Sequence, residues 1–290
     1  MMFKPQKGKA FDNLPQKSLD TFETDSFIVS TKYDGNQIFI TKQNGRVKMF
    51  TSDWKEFYIK VVAEEVHKIQ GDFVIIGEFM HNCSGKLGDR VNSAKLTTYR
   101  TNFSKLLPNN NYEEQMTNIR VFDFLYYNGN TLEAQIPYIA RISSAWNTTN
   151  SLHYLNPVPY TIMNGKEASI FAKSLVKDGW EGVMCANPKS TYCIGKRVNH
   201  SIKLKYRKTA DLRCIAVEEG EGKYEGLIGA LVLQDSKGRI CNVGSGLSDF
   251  DRKCDSTLFL NSVIEIEYEQ IIDTYIQPAF VCIREEKEID

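Results

Sequence analysis

No stretch of this 290-residue chain approaches the roughly 20 apolar residues in a row that a membrane-spanning helix requires. Its first residues, Met1-Met2-Phe3-Lys4-Pro5, lack the apolar core of a secretory leader. Both absences lead to the expectation of a cytoplasmic protein with no membrane partner. Histidine is scarce, with four residues at positions 67, 81, 153 and 200. The seven cysteines, at 83, 185, 193, 214, 241, 254 and 282, never form a CxxC pair. That combination excludes the familiar zinc-ligand spacings and favours reduced thiols over a disulfide framework. Internal repeats, low-complexity segments and a coiled-coil-like dimer seam are missing too, so a monomer is expected.

Net charge is also lacking, since 36 Lys and Arg residues balance 36 Asp and Glu. The balance is global, not local. From Lys189 to Lys208 the basic residues Lys189, Lys196, Arg197, Lys203, Lys205, Arg207 and Lys208 follow one another with no acid between them. Acids collect later, at Glu218, Glu219, Glu221 and Glu225 and again from Glu265 onward. A basic run is commonly a solvated face, but this one alternates. In Ile202-Lys203-Leu204-Lys205 a strand would send Ile202 and Leu204 into a core and both lysines to the opposite side. Two cations aimed at one place imply an anion there, and phosphate is the simplest candidate.

Hydrophobic residues at 42% and charged residues at 25% suit a folded chain, long enough for one large or two ordinary domains. Residues 1–25 are polar and interrupted by proline, and read as an arm or cover. Strands are expected at 26–32, 37–42 and 46–51, with Asn44-Gly45 as a hairpin turn. The apolar positions 54, 57, 58, 61, 62, 66 and 69 fit one helical stripe from Trp54 to Ile69. A buried strand from Phe73 to Met80 is broken by one carboxylate, Glu78. Residues 81–118 are polar, with a local fold expected from Leu87 to Phe103. A strand from Ile119 to Tyr127, helices at 137–146 and 166–178, and strands near 182–186 and 200–206 follow. Past Thr209 come five short strands, at 212–219, 226–234, 239–244, 262–269 and 280–284, which suit a small closed barrel of the oligonucleotide-binding kind. The expected domains are 1–208 and 209–290.

Six segments carry chemistry: Lys32-Tyr33-Asp34-Gly35, Gly77-Glu78, Val121-Phe122-Asp123, Glu181-Gly182-Val183, Lys203-Leu204-Lys205 and Arg284-Glu285-Glu286-Lys287. Each alone is weak. Lys32 ends the apolar stretch Phe27-Ile28-Val29, and a glycine three residues on lets the chain turn, which presents an amine at the floor of a pocket. A free lysine, with a pKa of about 10.4, is protonated at neutral pH. Positive charge on Lys203 and Lys205 would disfavour its ammonium form and stabilise charge growing on a phosphate under attack. Glu78 would cost several kcal/mol to bury unpaired, so it is either functional or bridged to a cation such as Arg197. Phe122, taken alone, suits a core as well as a base platform.

With these six segments in this order, residues 26–290 resemble the covalent nucleotidyltransferases, and most closely the minimal ATP-dependent DNA ligases of viruses and phages. The resemblance implies an α+β protein of two domains. An ATP-grasp-like nucleotidyltransferase domain of antiparallel sheets with flanking helices would precede a C-terminal OB-fold β-barrel. It implies sealing of 3′-hydroxyl/5′-phosphate nicks in duplex DNA through lysine adenylation, AMP transfer to the 5′-phosphate and attack by the 3′-hydroxyl. The partner would be nicked duplex DNA, gripped by a monomer closing as a clamp, and the compartment the cytoplasm, or a host's cytoplasm for a virus. ATP as AMP donor and Mg2+ are the implied cofactors.

By the same resemblance Lys32 is the nucleophile, with Asp34, Lys203 and Lys205 in catalytic roles. Ser30 and Thr31 lie near the adenine edge, and Phe122 stacks on the base. Glu78 holds the ribose or a metal-bound water, Glu181 holds the metal, and Gln37 and Arg197 belong to the nucleotide site. Arg284 and Lys287 match a terminal motif, with Glu286 replacing its aspartate, that is implied to swing over the site and orient pyrophosphate; Pro278-Ala279-Phe280 leads into it. Two departures stand out. Gln37 replaces an arginine, and Thr51-Ser52-Asp53-Trp54 stands where many relatives read Ser-Arg-Asn-Gly. Arg46, Lys48 or Arg90 could compensate, and Lys86, Arg90, Lys95, Arg100 and Lys105 make 81–118 either a DNA-gripping insertion or a solvated loop. An RNA ligase, a GTP-dependent mRNA capping enzyme and a non-catalytic binder with a decayed ligase fold remain alternatives.

Overall fold

A computed structural model describes residues 5–81, 86, 117–271, 273–284 and 289. The chain divides into two compact units, Met1–Tyr206 and Arg207–Asp290. Two sheets build the first unit. One runs in the order β5-β4-β3-β6-β7-β8, from Glu56–Phe57 (β5) through Arg46–Thr51 (β4), Asn36–Gln43 (β3), Phe73–His81 (β6) and Thr117–Asn128 (β7) to Thr131–Leu132 (β8). Leu155–Pro157 (β9) lies parallel to β7. The β3–β4 turn places Asn44 and Gly45 at φ 50° and 73°, the left-handed pair a two-residue hairpin needs.

The second sheet has the order β1-β12-β11-β2-β10. Its strands are Lys7–Ala10 (β1), Arg197–Leu204 (β12), Val183–Ala186 (β11), Ser26–Thr31 (β2) and Tyr160–Asn164 (β10). Four helices pack outside the sheets among the described residues: Gln16–Phe22 (α1), Lys60–Lys68 (α2), Tyr138–Thr149 (α3) and Gly165–Lys177 (α4). Strand alternation decides which face is dry. Ile38, Ile40, Ile75, Ile119 and Val121 meet Val62, Ala63 and Val66 of α2 and Ala145 of α3. On the second sheet Phe27, Val29, Val183, Cys185, Ile202 and Leu204 meet Ala168 and Ala172 of α4 and Phe22 of α1. Each such large side chain fully buried is worth ~1.5–3 kcal/mol. The opposite faces are left to border a cavity.

One expectation, a helix from Trp54, needs correction, and two others become more definite. Of the segment read as an arm or cover, the described residues 5–25 are tied into the first unit: β1 joins β12 in parallel, and Leu14 and Phe22 are buried. Among the described residues Leu14 and Phe22 enter the core with Phe11 and Leu19 packed against it, while the backbone is fixed by pairing such as Lys7 with Arg197, far along the chain. No helix starts at Trp54, which adopts φ 61° and stacks on Phe39. Ladder pairing of Phe57 with Met49 takes that segment before α2 begins at Lys60. The sheets are mainly antiparallel, as expected, with β1–β12 and β7–β9 as parallel pairs. Helix α4 begins at Gly165 through a capping box in which Asn164 and Glu167 exchange bonds, both at 2.9 Å. The local fold expected between Leu87 and Phe103 lies outside the described residues.

The second unit holds Lys208–Glu219 (β13), Ile228–Gln234 (β14), Ile240–Val243 (β15), Val263–Tyr268 (β16) and Ala279–Arg284 (β19), in the order β15-β14-β13-β16-β19. A small hairpin, Gln270–Ile271 (β17) with Tyr275–Ile276 (β18), intervenes. A bridge from Ser245 to Ala279, with the Phe280 N–H donating to the Ser245 carbonyl at 2.8 Å, brings the two edges together. Leu212, Leu231, Leu233, Val243 and Ile264 fill the interior. No helix among the described residues is long and apolar enough to cross a membrane.

Candidate active site

A cavity of about 370 Å³ lies between the two sheets of the first unit, within the range of about 300–1,000 Å³ common for small-molecule sites. Lys32 follows β2 directly, its N–H donating to the Gly182 carbonyl at 2.9 Å. Its side chain lines the cavity and is ion-paired with Glu181. The second oxygen of Glu181 pairs with Lys205. Gly182 permits this: it has φ 133°, and a Cβ there would stand 2.2 Å from the Leu204 carbonyl oxygen. Only glycine lets the loop before β11 lie so close to the end of β12, which lays Glu181 across both ammonium groups.

Electrostatics follow from that packing. Burial works to raise the Glu181 pKa, but Lys32 and Lys205 outweigh it and hold the carboxyl below its usual value. The Lys203 ammonium is pushed down, first by burial and then by Lys32, Arg197 and Lys205. Ile202 and Leu204 enter the core on either side of Lys203, which faces the cavity. Glu78 is half-buried, and its pKa is raised to about 7 by burial, against the pull of Lys32 and of the Gly35 N–H that donates to it at 3.1 Å. Arg197 is not its partner; that guanidinium donates to the Gly8 carbonyl at 3.2 Å and lines the cavity. Gly35 is needed for closeness, since a Cβ would sit 2.5 Å from the Phe79 carbonyl oxygen and 2.9 Å from Glu78 Cγ. Asp34 is buried within electrostatic range of Glu78.

Ser30, Thr31 and Gln37 all line the cavity, Gln37 standing opposite Glu78 in the β3–β6 register. Ser52, which donates its N–H to the Gln37 carbonyl at 3.1 Å, lies at the same wall. Phe122 occupies a bulge, because Ile76 pairs with Asp123 and Gly77 with Val121, leaving it unopposed. A bulge re-aims side chains, and here both Phe122 and Asp123 reach the cavity. Arg284 belongs to the second unit, where its guanidinium meets Glu265 at 2.7 Å and Asp211 at 3.6 Å. Lys287 lies outside the described residues, as does Arg90.

Some cavity residues escaped the sequence reading. Arg141 is 1% exposed and grips Asp123 with two bonds, at 2.8 and 3.2 Å. Its Nη1 group donates to the Ile136 and Ser190 carbonyls, and the rings of Tyr138 and Tyr192 flank it. A lone arginine inside Tyr138-Ile139-Ala140-Arg141-Ile142 was the available signal. Gln6, Lys7 and Gly8 form another wall, for which the sequence carried no sign.

Chemically, an amine beside one ionised carboxylate, with a second carboxylate and two more cations close by, suits attack on an electrophilic phosphorus. Mg2+ is commonly held by one or two carboxylates together with substrate phosphates. Glu181 and Glu78, which both interact with Lys32, fit that donor set. No group of three or more metal-ligating residues is found among the described residues, so phosphate oxygens would have to complete the shell.

A family model for the ATP dependent DNA ligase domain matches residues 5–205, and one for the DNA ligase OB-like domain matches residues 219–284. A DNA ligase of Pyrobaculum neutrophilum is 27% identical over 77% of this chain and 40% of its own length. One of Methanococcus maripaludis is 27% identical over 100% of this chain and 58% of its own. The chain thus spans about half the length of these relatives. A solved structure from work on DNA binding by the minimal scaffold of Lig E DNA ligases covers 98% of this chain and 100% of its own, with a TM-score of 0.74 at 17% identity. That likeness speaks for the fold.

Proposed function

The chain belongs to the ATP-dependent DNA ligase family and has its mixed α+β fold with an OB-like part; on that footing we propose that it seals 3′-hydroxyl/5′-phosphate nicks in duplex DNA, as a monomer, with ATP as AMP donor and Mg2+ as metal. The reading rests on one observation above others: the Lys32 amine lines a cavity of nucleotide size and is held by Glu181, with Lys203 and Lys205 beside it.

In this reading the adenine lies against Phe122, and Ser30 and Thr31 line the wall nearby. The Lys32 ammonium loses two protons to water as its nitrogen bonds to the α-phosphorus, and the bond from that phosphorus to the pyrophosphate oxygen breaks. Lys203 and Lys205 oppose the charge that grows on the phosphoryl oxygens. Glu181 and Glu78 would hold the divalent cation, which supplies Lewis-acid neutralisation of phosphate charge. The adenylyl group then passes to the 5′-phosphate of the nick, and the 3′-hydroxyl displaces AMP. Division of the chain into domains at 208/209 is part of the same proposal, with the first carrying the lysine chemistry.

Incubation with labelled ATP or GTP and magnesium tests it. Acid-labile, base-stable label from ATP, lost in Lys32→Ala, is expected, followed by sealing of nicked duplex DNA. Label from GTP alone would instead indicate capping chemistry. No label would indicate a binder, and discharge on nicked RNA but not DNA an RNA ligase.

A further inference from the structure

On β7, Thr117, Ile119 and Val121 point into the core, while Asn118, Arg120 and Phe122 point the other way. The register sets Gln37, Glu78 and Arg120 in one row across three neighbouring strands, with Asn118 opposite Met80 in the next. Arg120 is half-buried, and its guanidinium lies over the Tyr33 ring, 5.6 Å from the centroid. Tyr33 is the residue after Lys32, and its ring meets Trp180 edge-on at 5.6 Å, directly before Glu181. Arg120 is thus one ring away from the proposed nucleophile.

Arg120 meets no acid among the described residues. Glu78, its neighbour in the row, accepts instead from the Gly35 N–H, and no ion pair to Arg120 occurs among the described residues. Its Nε and the Asn118 Oδ1 are both buried without a hydrogen-bond partner. Buried polar atoms are nearly always satisfied, and part of a guanidinium left so is costly. The flat guanidinium fork matches two oxygens of a phosphate, and the Asn118 amide can rotate to offer its N–H groups to the same ligand. Arg120 does not line the nucleotide cavity, whereas Tyr33 does. A phosphate beyond the ring is therefore indicated, outside the space for ATP but near enough to receive a group from Lys32.

We infer that Arg120, with Asn118, binds the terminal 5′-phosphate of the nucleic-acid strand that accepts the adenylyl group. This rests on the ligase reading, so the test separates the two. Binding of duplexes with a nick carrying either 5′-phosphate or 5′-hydroxyl is measured for the wild type, Arg120→Ala, Arg120→Lys and Asn118→Ala, alongside labelling of Lys32 by ATP. The wild type should favour the phosphorylated nick by about tenfold, Arg120→Ala should lose that preference, and Arg120→Lys should keep part of it. Labelling should stay within about twofold of the wild type in Arg120→Ala, which also reports an intact fold; if it does not, the Arg120→Lys and Asn118→Ala isotherms carry the test. A preference that survives in Arg120→Ala, or is absent from the wild type, overturns the inference. So does a raised KM for ATP with the preference intact, since the cation would then serve the nucleotide. Absence of label in the wild type would sink the ligase reading instead, while the phosphate preference would still be read from the isotherms.

Discussion

Replacing Glu78 by glutamine should stabilise the protein at alkaline pH and leave it almost unchanged in acid. The carboxyl titrates near 7 in the folded chain against an ordinary 4.5; burial drives the rise, and Lys32 and the Gly35 N–H oppose it. A carboxyl raised by folding keeps its proton in the folded chain where the unfolded chain has already released it. Stability from this group is therefore whole below about pH 4.5, falls as pH climbs, and is gone above about pH 7. At about 1.36 kcal/mol per pH unit, the gap between 4.5 and about 7 is worth ~3 kcal/mol. Solvent reaching a half-buried group trims that, so ~2 kcal/mol is the working figure. Glutamine keeps an oxygen for the Gly35 N–H and cannot ionise. Trp54, Trp146 and Trp180, the chain's three tryptophans, all belong to the first unit, so urea unfolding followed by their fluorescence reports that unit alone. Glu78→Gln should unfold ~2 kcal/mol later than the wild type near pH 8 and almost with it near pH 4.5. Parallel pH profiles for the two proteins would refute the reasoning. The same variant should seal poorly, since stability retained at an active site is commonly traded against function.

Two further outcomes follow from neighbouring side chains. Phe122→Ala should raise the KM for ATP in Lys32 labelling about tenfold, as stacking on a base is worth ~1–3 kcal/mol. Phe122→Tyr should change it little, and an unaltered KM in the alanine variant would reduce Phe122 to packing. Arg141→Ala strands Asp123 as a buried carboxylate without its counter-charge, and should cost ~3–5 kcal/mol in the same fluorescence assay. Removing both partners should cost clearly less than the two single losses together, which a double-mutant cycle measures.

Much of the site could be read from residue order. The alternation in Ile202-Lys203-Leu204-Lys205 is a local property, and β12 sends Ile202 and Leu204 into the core, each at 2% exposure. Glu78 stood out because a carboxylate in Phe73-Val74-Ile75-Ile76-Gly77-Glu78 contradicts its surroundings, and the contradiction reappears as a displaced pKa. The barrel strands were visible from spacing and turns. Trp54 misled for the converse reason: Trp54 and Phe57 fit a helical stripe by chance, while a left-handed turn and a short ladder with β4 hold them elsewhere.

Chain order alone singled out Lys32, Glu78, Glu181, the strand lysines and the barrel strands, because each depends on side-chain period or on residues a few places apart. Only the tertiary structure decided who meets whom. Glu181 reaches across Lys32 and Lys205 because Gly182 presses against the Leu204 carbonyl, β1 walls the cavity by pairing with a strand far along the chain, and Arg141 is tolerable inside because Asp123, two backbone carbonyls and two rings meet it. Such contacts join segments with no shared local pattern, and their free energy exists only once both partners have been brought out of water together.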